Sequence, residues 1–379
     1  MAFNVSTNDN KAFSVSAGFQ NYTSIISSYN NIGIGGQTAT TTNSDQNWIL
    51  NSPVSSVVYN CVAVTTDGAI QVACTKDTIY LYKNNGWTQI YTTSTPGVAF
   101  SYVCLSDDGV CITASDFSTG LYVSTNSGGS FTIIAGITNP NTVCMSKNGL
   151  YQSVISNTRI YKTTDKWATF NSLSVTSPTS LCMSYDGSRQ IMFTFLLQRP
   201  TPVISVYLST DYGSTFTIIS QTTLLDQIVS CNCSSDGIIV TAVSYTALTN
   251  IVKIYLSTSQ TVPTFNQVFS TSVTVPVFSM SLSATGISQW CVIGGDIYQS
   301  TDTGSTWTPV TNLPSQSTVW VQACVSGDNS NVIIVGLNTI GYIYYSKTST
   351  VTTIADKPLL YGLGQSIDYV ISLDRMLGL

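Results

Sequence analysis

The chain has 379 residues, room for two ordinary domains or one large repeat domain, and at 43% hydrophobic it can bury a sizeable core. Only 8% of it is charged, and its 13 basic residues form no cluster under a net charge of −5, which argues against a nucleic-acid partner. It has no histidine, which removes His-based triads, His general bases and His metal ligands, and its 18 acidic residues are all aspartate.

The opening MAFNVSTNDN has neither the basic nor the apolar region of a secretory signal, so no signal peptide is expected. No stretch approaches the roughly 18 apolar residues of a membrane helix, and no membrane insertion is expected. Residues 1–45 are rich in Asn, Ser, Thr and Gly and read as an N-terminal arm too small and polar to form a core alone.

Beyond the arm the sequence repeats. A short apolar strand runs into a turn seven times, as in VCLSDDG ending at Gly109, VCMSKNG at Gly149 and LCMSYDG at Gly187. The turn positions are Asp67, Asp108, Asn148, Asp186, Asp236, Thr285 and Asp328, roughly 38 to 50 residues apart. Asp-Gly and Asn-Gly favour hairpins because glycine accepts positive φ at no steric cost. Within each unit the order is strand, turn, strand, variable loop, strand, octapeptide, strand, and the strands are rich in Val, Ile, Tyr and Thr. Four antiparallel strands repeated seven times predict an all-β fold, a seven-bladed β-propeller over residues 46–356 with N- and C-terminal extensions.

The octapeptide is STDYGSTF at 209–216 and STDTGSTW at 300–307, with weaker copies STNSGGSF at 124–131 and TTDKWATF at 163–170. It resembles the Asp-box, S-x-D-x-G-x-T-W/F, of sialidases, sortilin-type ectodomains and other propellers, and the resemblance covers about residues 56–356. It implies a structural role for Ser209, Asp211, Gly213 and Phe216, and for Ser300, Asp302, Gly304 and Trp307. The Ser and Asp side chains bond nearby backbone and pin a hairpin, the glycine supplies the awkward dihedral, and the aromatic packs between blades. A calcium-ligand role for Asp211 and Asp302 is the alternative.

The resemblance does not extend to sialidase catalysis. Those enzymes clamp a carboxylate with three arginines and use a tyrosine–glutamate pair. This chain has only Arg159, Arg189, Arg199 and Arg375, and no glutamate. Other glycosidases need two carboxylates facing across a cleft. Asp116, Asp226 and Asp296 are the aspartates without a turn to serve, and no spacing pairs them. The reading is non-enzymatic, with no catalytic residue, metal or cofactor. Among the ten cysteines, Cys104, Cys144, Cys182 and Cys324 each stand four residues before a turn position, on a first and innermost strand. They read as reduced packing residues, because equivalent strands of different blades usually lie too far apart for a disulfide.

Two units carry insertions in the loop between their second and third strands, FLLQRPTP at 195–202 and SYTALTN at 244–250. Phe195, Arg199 and Tyr245 are the candidate binding residues there, two aromatics and a fork-shaped donor. The alternative is that Leu196 and Leu197 only cap the blades. Residues 357–379 form a C-terminal tail with helical spacing from Ser366 to Leu377. The last unit lacks an octapeptide, whereas NWILNSPVSSVVYNCVAV resembles the stretch where one fourth strand leads into the next blade. Residues 47–51 are therefore predicted to supply the final blade's outer strand.

These readings converge on a binding or structural module with protein partners in a larger assembly. The particle of a large DNA virus, assembled in the cytoplasm, fits the uncharged, Ser/Thr/Asn-rich composition. The alternative is a carbohydrate-binding, lectin-like propeller or weak glycoside hydrolase.

Overall fold

The structure is a computed structural model. It describes residues 48–347, with short breaks at 55–56, 96, 117, 119, 198–201, 223–225, 316, 318 and 339–340. It also describes the strand backbones at 2–6, 12–16, 25–26, 32–34, 42–43, 350–351 and 360–362. The chain divides into two compact units, 1–44 with 349–379, and 45–348.

The larger unit is the seven-bladed propeller the repeat predicts: seven antiparallel sheets of four strands. Blade 1 comprises Tyr59–Val64, Gln71–Thr75, Thr78–Lys83 and Gly86–Thr92. Blades 2, 3 and 6 occupy 100–134, 140–174 and 278–309. Blade 4 comprises Pro178–Met183, Gln190–Leu196, Val203–Ser209 and Thr217–Thr222, and blade 5 comprises Gln227–Cys233, Val240–Thr246, Ile251–Ser257 and Asn266–Ser272. In every blade the first strand is innermost. Four consecutive strands paired in order put the 1–2 and 3–4 turns at one end and the 2–3 hairpin at the other.

Blade 7 is composite. Val319–Val325, Asn331–Leu337 and Gly341–Lys347 are completed by Ile49–Leu50, which pairs with Tyr345 and Tyr344. The clasp extends past the strand, because Asn51 N–H donates to Ile343 O at 2.8 Å and Ile343 N–H to Ser52 Oγ at 2.9 Å. Trp48 packs edge-on against Trp290 of blade 6, ring centres 6.3 Å apart. Closure of this kind removes an open seam between the first and last blades.

The core consists of seven wedges, one per seam between neighbouring blades, each an apolar cluster drawn from two blades. A second strand is covered on both faces, so QVACT, ITASD, QSVIS and QWCVI are buried at every position. That is why these strands abandon polar alternation for small residues, Cys and Val. Outer strands such as Asn171–Ser174 are exposed throughout and keep Ser and Asn.

Each 1–2 turn is stapled by a Ser or Thr two residues before the turn position. In blade 2, Ser106 Oγ donates to Asp108 Oδ1 at 2.5 Å and accepts from Cys111 N–H at 2.8 Å. The residue after the turn position has φ +68° at Gly109, and in blade 7 Asn329 takes the same place at +61°. Asn tolerates that region better than other side-chain residues, so the repeat survives without its glycine.

The smaller unit holds an antiparallel pair, 2–6 with 12–16, a three-stranded sheet of 25–26, 32–34 and 360–362, and a short pair of 42–43 with 350–351. Both chain ends thus contribute strands to it. The helical spacing from Ser366 to Leu377 lies outside the described residues.

Candidate functional site

The octapeptide hairpins stand at one end of the propeller, and their polar groups bond one another. Ser209 Oγ donates to Asp211 Oδ1 at 2.7 Å and accepts from Gly213 N–H at 2.9 Å. Asp211 in turn accepts from Thr215 N–H at 2.9 Å and Thr215 Oγ1 at 2.7 Å. Ser300, Asp302, Gly304 and Thr306 repeat this pattern within 0.1 Å. Burial raises the Asp211 carboxyl, but the Thr215 and Ser209 donors outweigh it and hold it at about 2. At Asp302 the Thr306 side chain and backbone, then Ser300, hold it at about 2. Phe216 packs in the seam between blades 3 and 4, and Trp307 in the seam between blades 5 and 6. In the copy at 163–170, Trp167 sits at the glycine position with φ +69°, buried, its indole N–H on Gln152 Oε1 at 2.6 Å. Positive φ is costly for a bulky residue, and here the buried indole and its hydrogen bond offset that cost.

Buried glutamines back these hairpins. Gln152, Gln190 and Gln289 begin the second strands of blades 3, 4 and 6, and each accepts a hydroxyl from the blade before: Thr113 at 2.7 Å, Ser153 at 2.9 Å and Thr241 at 2.7 Å. The signal was present in the sequence as a Gln four residues after the turn position.

At the same end, a closed ring of hydrogen bonds circles the central channel. Backbone N–H groups of Asp107, Lys147, Tyr185, Ser235 and Ala284 donate to the carbonyls of Lys147, Tyr185, Ser235, Ala284 and Gly327, all at 2.7–2.8 Å. Asp328 N–H then reaches Thr66 O at 2.8 Å, and Thr66 N–H completes the circle on the Asp107 carboxylate at 2.6 Å. Tyr185 crosses the opening from blade 4. Its hydroxyl fills the space beside Gly327, 2.8 Å from where a Cβ would stand, and it lies against Thr66. Lys147 Nζ sits 4.6 Å over the Tyr185 ring and 3.6 Å from Asp107. Burial and the Asp107 charge push the Tyr185 hydroxyl well above its usual range.

The innermost strands have no further strand to pair with, so their backbone groups find side chains of the preceding blade. The Gln322 amide accepts from Val62 N–H at 2.7 Å and donates to Val62 O at 2.9 Å, joining blade 7 to blade 1. Asn60 Nδ2 donates to Phe100 O at 2.7 Å, and Ser281 Oγ accepts from Val325 N–H at 3.0 Å. All ten cysteines are free thiols. Burial pushes Cys61 and Cys111 up to about 11, far from a nucleophile's range.

The opposite end is built differently. The long second and third strands of blades 4 and 5 carry their hairpins outward; Leu197, just past a strand end, and Leu248, in a turn, are 77% and 85% exposed. Of the candidate binding residues, Phe195 packs partly buried in the seam between blades 4 and 5. Tyr245 packs in the next seam, its ring centre 5.1 Å from that of Phe278 and its hydroxyl donating to Asn250 Oδ1 at 2.8 Å. Arg199 lies outside the described residues. The aromatics therefore brace the hairpins from beneath, and Leu197 and Leu248 lie beyond the strand ends. Beside them, Asp226 is buried and accepts from Thr246, from Lys253 Nζ at 2.6 Å and from Tyr255 at 3.2 Å. Burial raises this carboxyl, and the Lys253 and Thr246 bonds bring it below its ordinary value.

Of the three aspartates without a turn to serve, Asp116 and Asp226 are engaged and Asp296 is exposed. Asp116 is buried and accepts from Ala99 N–H at 2.7 Å and Ser118 Oγ at 2.9 Å. Asp226 is ion-paired, and the turn aspartates are spent on backbone. Among the described residues no group of three Cys or Asp side chains has the spacing to hold a metal ion.

No protein-family model matches the sequence, and no curated protein does. Solved structures do share the fold. A YCF48 protein bound to D1 peptide aligns over 81% of this chain and 98% of its own, with a TM-score of 0.57 at 13% identity. The Cps50 (Swd1) β-propeller domain of Myceliophteria thermophila aligns over 80% and 100%, with a TM-score of 0.59 at 11% identity. A chain of a Mitotic Checkpoint Complex aligns over 88% and 99%, with a TM-score of 0.58 at 11% identity. At such identities the likeness is one of fold.

Proposed function

We propose that the chain is a non-enzymatic protein-binding propeller, a component of a larger assembly, and that it meets its partner with the 2–3 hairpin end of blades 4 and 5. The observation that carries this reading is the exposure of Leu197 and Leu248 on neighbouring hairpins. Two bare leucines on braced hairpins suit insertion into an apolar pocket of a protein partner, where buried anchors supply most of the binding energy. Phe195 and Tyr245 hold the hairpins in place. Proteins of this fold include one solved with a bound peptide and one solved within a multi-protein complex, which supports the same class of role.

The setting we propose is a virus particle assembled in the cytoplasm. It rests on composition: few charges, and neither histidine nor glutamate. The test is cross-linking and co-fractionation of the native assembly, comparing the unaltered chain with the double variant Leu197→Asp, Leu248→Asp. Loss of co-fractionation with unchanged melting supports the reading. Retention by the variant, or saturable sugar binding on a glycan array, overturns it in favour of another surface or a lectin.

A further inference from the structure

The innermost strands of blades 4 and 5 bring three thiols together. Ser180 Oγ of blade 4 donates to Cys231 Sγ of blade 5 at 3.1 Å, which aligns the two strands. A few residues on, Tyr185 N–H donates to Ser235 O at 2.8 Å, so the strands stay in step. Cys182 falls between these rungs, level with the segment from Cys231 to Cys233. Cys182 and Cys233 belong to one buried apolar cluster, and Cys231 packs against it. Cys182 and Cys233 are 4% and 2% exposed, whereas Cys231 is only half-buried. The three thiols are free, as the sequence predicts, and the Ser180 bond ties the strands that carry them.

We propose that this cluster is an oxidative modification site, at which peroxide converts Cys231 and Cys182 into a disulfide that staples blade 4 to blade 5. Cys231 reacts first, being the member with a path to solvent and a hydroxyl donor on its sulfur. Its thiolate takes one peroxide oxygen to give a sulfenic acid, and the other oxygen leaves as water. The Cys182 sulfur then attacks the sulfenic sulfur, the S–O bond breaks, and the Cys182 proton departs with the hydroxyl as a second water. Two thiols and one peroxide thus yield one disulfide and two waters. Three thiols without metal-site spacing suit this two-sulfur chemistry better than coordination of an ion. The other conspicuous pair, Cys61 and Cys74, stands directly opposite on adjacent strands of blade 1, but both are buried and give peroxide no entry.

The experiment treats the folded full chain with hydrogen peroxide, blocks remaining thiols with a maleimide, and maps cross-linked peptides by mass spectrometry without reduction. The expected product joins the peptide bearing Cys182 to the one bearing Cys231 and Cys233, with a mass loss of two hydrogens that a dithiol reverses. Cys231→Ser keeps the hydroxyl contact to Ser180 and should lower cross-link formation by at least about tenfold. Cys233→Ser should leave it unchanged, and Cys182→Ser should leave Cys231 oxidised without a cross-link. A first bridge between Cys61 and Cys74, a cross-link that survives Cys231→Ser, or none in the unaltered chain would each overturn the proposal.

Discussion

The two ends of the propeller are made from the same strands and behave as opposites. At one end lie the repeated turns, where the Ser and Asp side chains that recur are bonded to the backbone of their own hairpins, and a circle of hydrogen bonds ties blade to blade. At the other end lie the hairpins that do not repeat, and two of them thrust leucines into solvent. Repetition here marks positions that every blade needs for the same reason, which is satisfaction of turn backbone. Departure from repetition marks positions that the ring does not need in every blade. A frequent motif is therefore a poor guide to activity in this fold, and the irregular loops are the better one.

The contrast is sharpest if damage at the repeated end and at the clasp costs stability while damage at the exposed leucines costs binding alone. The largest effect is expected where the ring closes: Trp48→Ala removes the contact with Trp290 and should lower unfolding free energy by about 3 kcal/mol, read from urea denaturation. Gln322→Ala strips both backbone groups of Val62 of their partners and should cost about 2 kcal/mol in the same assay. Asp302→Ala leaves the Thr306 and Ser300 donors to water at an exposed turn, so about 1 kcal/mol is expected. Acid should act on the same staples. Asp211 and Asp302 are lowered from the ordinary 3.8 to about 2, so their stabilisation is complete above about pH 4 and is lost as pH falls through 2. Melting temperature measured from pH 5 to pH 2 should fall less in Asp302→Asn than in the unaltered chain. The smallest stability effect belongs to Leu197→Asp and Leu248→Asp, within about 0.5 kcal/mol. A loss comparable to that of Trp48→Ala would erase the distinction between the two ends.

The fold was legible because its constraints recur in sequence. Each 1–2 turn needs a short hydroxyl side chain, an Asx-like acceptor and a residue tolerant of positive φ, so the letters repeat. The clasp was legible because Trp48 opens a stretch that reads like the end of one blade and the start of the next. The ring around the channel was not. Its members are Thr66, Asp107, Lys147, Tyr185, Ser235, Ala284 and, in the last blade, Gly327 with Asp328, and they differ from blade to blade because most links use backbone and leave the side chain free to vary. Tyr185 crossing to Gly327 could not be read for the same reason, since the contact spans blades far apart in the chain. At the candidate site, sequence singled out the aromatics of the blade 4 and 5 loops, and the structure puts leucines further out than those aromatics. Phe195 and Tyr245 follow strand alternation into the seams, and the leucines beyond the strand ends are left outside.

The clasp also fixes an order of events. Ile343 bonds Ser52 across 291 positions of chain, so the final blade joins a segment made before the other six blades to one made after them. Helical bundles can close contacts as they emerge; a ring of this kind must wait, holding an early strand unpaired while six blades are synthesised behind it. Long-range pairing of this sort slows the last step of folding and leaves an edge available to other chains meanwhile. The two-residue strand at Ile49–Leu50 is short for such a task, and its brevity limits what an unfinished chain offers to a neighbour.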